Sequence, residues 1–323
     1  MQRALTGVQP SGRIHLGNFL GAVKPALALQ ESYATFYFIA DYHALTSVRD
    51  PGALRLASLE TAATFLALGL DVEGQATLYR QSAVPEVCEL AWILSCLTSA
   101  GTLDRGHAVK SAKDGGREIN AGTVFYPLLM AADILLYDTA VVPVGEDQRQ
   151  HVEIARDLAI KVNHHYGEGT LVVPEVSIQK AVGVIPGTDG RKMSKSYGNT
   201  IPLWEPPKKL RKHFMKVVTD SKGMEEPKDP EQCNVFSLFK LFATPEQQAD
   251  LAKRYRSGGL GYGHAKQELF EVVDAQVADA RERYTSLMAN PDQIDAALDL
   301  GAQRARDAAA KTLARIRGAV GLT

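Results

Sequence analysis

Two lysines set three positions apart, Lys192 and Lys195 in Lys192-Met193-Ser194-Lys195-Ser196, carry the most pointed chemistry in the chain. Gly187 and Gly190 precede the stretch and Gly198 follows it, and glycine frees the backbone where a loop has to bend. Two ammonium groups and two hydroxyls on one short loop are complementary to a phosphate chain. A second place of this kind is Gly7-Val-Gln-Pro-Ser-Gly-Arg-Ile-His-Leu-Gly-Asn18. Its glycines and proline separate a strand pattern from a helix start, and the N–H groups and dipole of a helix N-terminus favour an anion. The third is Asp133, the lone carboxylate of an apolar run over residues 123–137, which shares one helix face with Tyr126 and Met130. A buried carboxylate is costly unless it is paired. Asp133 therefore has an internal partner or a ligand with a donor, and the sequence leaves both open.

These groups need a scaffold that brings loops together. Short apolar runs at residues 3–6, 35–40, 76–79, 140–144 and 182–185 read as buried strands, and helical patterns alternate with them. Asp50-Pro51 is a helix start with an N-cap and a proline in the first turn, and Gly69 marks its end. The β-α-β-α-β order predicts an α/β fold: a doubly wound, parallel, Rossmann-like nucleotide-binding sheet whose ligands sit outside the carboxyl ends of the strands. Those ends carry residues 7–18, 41–43 and Gln81-Ser82. Residues 101–122 are charged, glycine-rich and aperiodic, and read as a loop or an insertion that orders on binding. From Pro202 the pattern is helical throughout, over 207–218, 230–243, 245–257, 264–288 and 292–318, which predicts an all-helical C-terminal domain. Lys208, Lys209, Arg211, Lys212 and Lys216 make the first of these helices basic.

The bulk numbers exclude several classes. Of 323 residues, 45% are apolar and 23% charged, the balance of an ordinary globular enzyme. No apolar run reaches the roughly 18–20 residues of a membrane span, and the N-terminus enters a strand pattern without an apolar leader, so a cytoplasmic protein is expected. Cys88, Cys96 and Cys233 form no Cys-x-x-Cys pair and suggest neither a disulfide framework nor a zinc site. A net charge of −1 leaves nucleic-acid binding to local basic patches.

Lys192 to Ser196 and His15-Leu-Gly-Asn18 resemble the two signatures of class I aminoacyl-tRNA synthetases. The finer resemblance is to the bacterial type of tryptophanyl-tRNA synthetase. It rests on Gly7-Val-Gln-Pro-Ser-Gly12, Tyr126-Pro-Leu-Leu-Met-Ala-Ala-Asp-Ile-Leu135, Val142-Pro-Val-Gly-Glu-Asp-Gln148 and Val217-Val-Thr-Asp-Ser221, in collinear order over essentially the whole chain. The resemblance implies a catalytic domain at 1–201 with a helical insertion near 101–137, a helical tRNA anticodon-binding domain at 202–290, and a helix at 291–323 returning to the catalytic domain.

It also implies a division of roles. ATP would meet Gln9, Pro10, Ser11, His15, Gly17 and Asn18, then Gly145, Glu146 and Asp147 at the ribose, Val184 at the adenine, and Lys192, Met193, Ser194, Lys195 and Ser196 at the phosphates. Lys192, Lys195 and Gln9 would be the catalytic set, with Lys110 or Lys113 as a further phosphate contact. Asp133 would accept the indole N–H of tryptophan, with Tyr126, Met130, Val142 and Val144 as walls and His43, Tyr126 and Gln148 around the ammonium and carboxylate. Mg²⁺ would come on the ATP phosphates rather than on protein ligands. The partners implied are L-tryptophan, tRNA(Trp) and a second copy of the chain, with no membrane and no DNA. Three rivals stand beside this reading: a tyrosyl-tRNA synthetase, a catalytically silent relative that binds tryptophan or a partner, and a small-molecule nucleotidyltransferase with a similar His-x-Gly turn.

Overall fold

The apolar stretches become strands because both of their faces are covered. The computed structural model describes residues 1–10, 12–104, 109, 116, 119–145, 149–178 and 184–322. Its sheet consists of β1 (Arg3–Val8), β2 (Ala34–Ile39), β3 (Ala76–Arg80), β4 (Val141–Val144) and β5 (Glu175–Ile178). The strand order is β3-β2-β1-β4-β5, with every neighbouring pair parallel. Thr35 to Ile39 of β2 are buried without alternation, as a central parallel strand requires. The winding reverses between β1 and β4, which pair through Ala4 and Val141, and ligands of such sheets gather at that reversal.

The helices in chain order are α1 (Leu16–Asn18), α2 (Lys24–Ala28), α3 (Asp41–Ala44), α4 (Pro51–Ala67), α5 (Glu86–Cys96), α6 (Ala100–Asp104), α7 (Ala121–Leu135) and α8 (Arg149–Tyr166). Beyond β5 come α9 (Pro207–Met215), α10 (Asn234–Phe239), α11 (Pro245–Ser257), α12 (Tyr262–Ala289) and α13 (Pro291–Val320). Local chemistry sets their ends. Asp50 caps α4 by accepting from the Gly52 and Ala53 N–H groups at 2.7 and 3.0 Å, and the chain leaves this helix through Gly69 at a φ of 96°. Thr244 and Gln247 form a reciprocal capping box on α11.

Two compact units divide the chain. The first holds residues 1–12, 26–180 and 287–323, the second residues 13–25 and 181–286. In the first, one core joins the sheet to α5, α7, α8 and α13, with Phe36, Tyr79, Leu90, Leu128, Ala155 and Ala305 among its buried members. Helix α13 lies against the edge strand β3. It approaches so closely that a Cβ on Gly301 would stand 1.8 Å from the Leu78 carbonyl oxygen, so only glycine fits there. Arg304 reinforces the contact by donating to the Val72 carbonyl at 2.7 Å, and Arg80 pairs with Asp295 at 2.5 Å. In the second unit Leu210, Phe214, Phe236, Leu251, Tyr255 and Leu269 are buried among α9 to α12. The five basic residues of the α9 region are exposed while Leu210 and Phe214 point inward.

Two sequence expectations are corrected. The fifth strand is Glu175–Ile178, not residues 182–185; Val184 and Ile185 lie outside any strand, and residues 182 and 183 are outside the described residues. Residues Ala100–Asp104 form a helical turn where a loop was expected.

Candidate active site

In the first unit, the carboxyl ends of β1, β2 and β4 and the inner face of α7 enclose a cavity of about 280 Å³. Gly7 and Gln9 enter it from β1, Ala40 and His43 from the end of β2, Val142 and Val144 from β4, and Tyr126, Met130 and Asp133 from α7. Gly7 is dictated by packing, since a Cβ there would lie 2.3 Å from the Phe38 ring. Tyr126 packs against His43 with ring centroids 4.3 Å apart and the planes tilted by 57°, and burial, aided by the Asp133 charge, raises its pKa.

Asp133 is 3% exposed and is held by two side chains from distant parts of the sequence. Gln81 Nε2 donates to both carboxylate oxygens at 2.9 Å, and His43 Nε2 lies 2.8 Å from Oδ2. Gln81 Oε1 in turn accepts from the backbone N–H groups of Tyr42 and His43 at 3.2 and 3.4 Å. Backbone N–H can only donate, so the orientation of this amide is fixed by its surroundings. Burial raises the Asp133 pKa, and the bonds from His43 and Gln81 oppose that rise. Both readings left open by the sequence thus meet here: Asp133 has internal partners and also lines a cavity. A carboxylate offers about four acceptor positions. Among the described residues Oδ2 uses two and Oδ1 one, so Oδ1 keeps an acceptor position of its own.

The second unit carries the lysine loop and the histidine turn. A tight hairpin leads into the loop, with Gly187 N–H donating to the Arg191 carbonyl at 2.7 Å and Met193 N–H to the Ile185 carbonyl at 2.8 Å. Asn199, buried behind it, donates to Asp189 at 2.7 Å and to the Lys192 carbonyl at 3.0 Å, and accepts from the Ser194 N–H at 2.8 Å. Lys192, Lys195 and Ser196 remain on the exposed side, and Ser194 is half-buried with its hydroxyl 2.8 Å from that of Ser196. Met193 turns inward, its sulfur taking the Gly17 N–H at 3.2 Å. His15 caps α1: Nδ1 accepts from the Asn18 N–H at 3.3 Å and Asn18 Oδ1 from the His15 N–H at 3.4 Å. Its ring proton therefore sits on Nε2. Burial, with the Lys195 charge adding to it, pulls the His15 pKa down to about 4 and keeps the imidazole neutral.

The structure thus groups Gln9, His43, Tyr126, Met130, Asp133, Val142 and Val144 around one cavity, and His15, Gly17, Asn18, Met193 and Lys195 around one turn. Pro10 is buried, Gly145 is exposed at the end of β4, and Val184 is 72% exposed. Ser11, Lys110, Lys113, Glu146, Asp147 and Gln148 lie outside the described residues. Gln81 and Asn199 escaped the sequence reading as site residues. The available signal for Gln81 was its place at the carboxyl end of β3, where a polar side chain is expected to face ligand.

The family described as tRNA synthetases class I (W and Y) matches residues 1–278. The tryptophan–tRNA ligase of Campylobacter jejuni is 48% identical over 320 residues, covering 99% of this chain and 100% of that one. The enzyme of the same name from Pseudomonas aeruginosa is 47% identical, covering 99% of this chain and 74% of its own length. A crystal structure of the Campylobacter jejuni tryptophanyl-tRNA synthetase complexed with ADP and tryptophan superposes with a TM-score of 0.94 over 99% of this chain and 100% of that one, at 48% identity. The tyrosyl-tRNA synthetase of Archaeoglobus fulgidus gives a TM-score of 0.66 over 88% of this chain and 90% of that one, at 22% identity, a likeness of fold alone.

Proposed function

The chain belongs to the class I tRNA synthetases of the W and Y type, and from that premise we infer how its residues do the work of a tryptophan–tRNA ligase. The enzyme activates L-tryptophan with ATP, giving tryptophanyl-adenylate and pyrophosphate, and passes the tryptophanyl group to the terminal adenosine of tRNA(Trp). The observation that carries the assignment of its pocket is the buried Asp133 with an acceptor position left on Oδ1, in a cavity at the reversal of the sheet.

An indole offers one donor and no acceptor. Asp133 matches that pattern; phenylalanine would leave it unpaired, and a tyrosine phenol would donate to it but also need a donor for its own oxygen. Met130, Tyr126, Val142 and Val144 supply apolar walls, and Tyr126 and His43, with Gln148, are assigned to the ammonium and carboxylate end. The tryptophan carboxylate attacks the α-phosphate in line and pyrophosphate leaves, so no protein nucleophile is required. Catalysis is then positioning and charge stabilisation. Lys192 and Lys195 are assigned to the pyrophosphate, where negative charge grows as the bond breaks. His15 presents a neutral Nε2–H to the nucleotide. Among the described residues the Gly17 N–H meets the Met193 thioether, a weak acceptor, and a phosphate oxygen is the better partner for it.

Gln9, Pro10, Ser11 and Asn18 complete the nucleotide contacts in this reading, with Gly145, Glu146, Asp147 and Val184 toward ribose and adenine. The lysine loop offers ammonium and hydroxyl groups, which suit phosphate oxygens and not a cation, so Mg²⁺ is assigned to the phosphates of its own ATP. The exposed basic face of α9, with Lys208, Lys209, Arg211, Lys212 and Lys216, is assigned to tRNA. The reading places the enzyme in the cytoplasm, and no described helix is long and apolar enough to cross a membrane. A homodimer is supported by the exposed Trp92 and Phe125, 70% and 46% accessible, beside an apolar groove between α5 and α7.

ATP–pyrophosphate exchange with tryptophan and tyrosine in parallel tests the function. Exchange is expected with tryptophan alone. Exchange with tyrosine instead would overturn the choice of amino acid, and exchange with neither would leave a silent binder on a synthetase fold.

A further inference from the structure

Gln81 is 1% exposed and lies in a short 3-10 turn directly after β3. Its single amide reaches three elements: the carboxylate of Asp133 on α7, and the backbone N–H groups of Tyr42 and His43 at the start of α3. The neighbouring Ser82 tightens the same junction, its N–H donating to Asp41 Oδ1 at 2.9 Å and its hydroxyl to Asp41 Oδ2. We propose that Gln81 is a positioning residue for amino-acid selection, holding Asp133 ionised and oriented so that an acceptor position on Oδ1 is kept for the indole N–H. The inference rests on the tryptophan reading of the pocket.

The geometry excludes the bland alternatives. Were Gln81 only filling space, an apolar side chain of the same length would serve, and the two backbone N–H groups would need another acceptor. Among the described residues the two donor bonds from Gln81 and the one from His43 are what compensates Asp133 for leaving water. Taking away the Gln81 pair favours the neutral carboxyl, whose added O–H is free to turn toward the ligand as a donor. A donor facing the indole N–H abolishes the match. Gln81 touches no reacting atom, so its loss should register in tryptophan recognition and leave the ATP side unchanged.

The test compares L-tryptophan with 3-(benzothiophen-3-yl)alanine, in which sulfur replaces the indole N–H, in ATP–pyrophosphate exchange. Gln81→Met is expected to raise the tryptophan KM by about tenfold or more, to leave the ATP KM and kcat within roughly twofold, and to erase most of the preference for tryptophan over the sulfur analogue. Gln81→Glu is the second variant. It can still accept from Tyr42 and His43, so the junction stays closed, but it sets a second carboxylate against Asp133 and should lose the same preference. If either folded variant, judged by circular dichroism, keeps the wild-type preference, the inference is wrong. Parallel losses in the tryptophan and ATP KM values would also overturn it, because a merely structural role predicts them. Wild-type exchange with tyrosine and not tryptophan would instead sink the reading on which it rests.

Discussion

Replacing Asp133 by asparagine keeps the shape of the side chain and removes its charge. The amide has one acceptor oxygen with two lone pairs. Gln81 Nε2 keeps one of them and the indole N–H can take the other. The new NH₂ group then faces His43 Nε2, which becomes an acceptor once the ring proton moves to Nδ1. Among the described residues that nitrogen is buried without a hydrogen-bond partner, so no donor there blocks the proton. The variant therefore folds, and the ligand bond changes from charge-assisted to neutral. Hydrogen bonds to charged groups contribute about 1.5–3 kcal/mol and neutral ones about 0.5–1.5 kcal/mol. The difference, about 1–1.5 kcal/mol, is roughly a five- to tenfold loss of tryptophan affinity. Asp133→Ala is a worse probe, since it strands Gln81 Nε2 and His43 Nε2 at about 1–3 kcal/mol each and mixes stability with binding. Isothermal titration of Asp133→Asn with tryptophan and with its benzothiophene analogue separates the two. Tryptophan should weaken and the analogue, which has no donor to lose, should change little. Equal losses for both ligands, or none for tryptophan, would refute the bond between indole and Asp133.

Three further outcomes follow from the same structure. Lys195→Ala should lower the rate of adenylate formation by about 100-fold, with the tryptophan Kd unchanged in titration; a matching loss of tryptophan binding would remove Lys195 from the pyrophosphate. Gly301→Ala sets two effects against each other: helix propensity favours alanine by about 1 kcal/mol, but the Cβ would collide with the Leu78 carbonyl. Overpacking of this kind costs about 1–3 kcal/mol, so the Tm should fall, and a rise would show that α13 does not sit so close. His15, with a folded pKa of about 4 against 6.5 unfolded, binds fewer protons in the native state between those values. Stability should therefore drop as pH falls through that window, by at most about 3 kcal/mol, and His15→Gln should flatten the drop in pH-dependent denaturant titrations.

The parallel strands were legible because burial on both faces leaves continuous apolar runs, and the lysine loop because lysine, glycine and serine stand in a tight pattern. The edge strand β5 was not. Glu175 and Ser177 face solvent, so the strand reads as polar, while of the strand-like run 182–185 the described residues Val184 and Ile185 lie outside any strand. The single helical turn Ala100–Asp104 contains Gly101 and carries no periodicity to detect. The pairing of Asp133 was also out of reach, since its partners are 52 and 90 positions away and no local pattern connects them. Sequence reasoning could show that the carboxylate needed a partner, but only the folded sheet brings Gln81 and His43 to it.

The cover over β3 has a consequence for how the chain is made. That strand ends at residue 80, while the helix that lies along it begins at residue 291. Throughout the synthesis of everything between, the nascent sheet has an open edge with unpaired N–H and C=O groups, the feature that recruits foreign strands. The activating unit of an enzyme that supplies the ribosome with tryptophan can thus close only after residues 291–320 have emerged from a ribosome. A transcript cut short before them would release a chain with its cavity residues present and its sheet unguarded, open to pairing with its own kind.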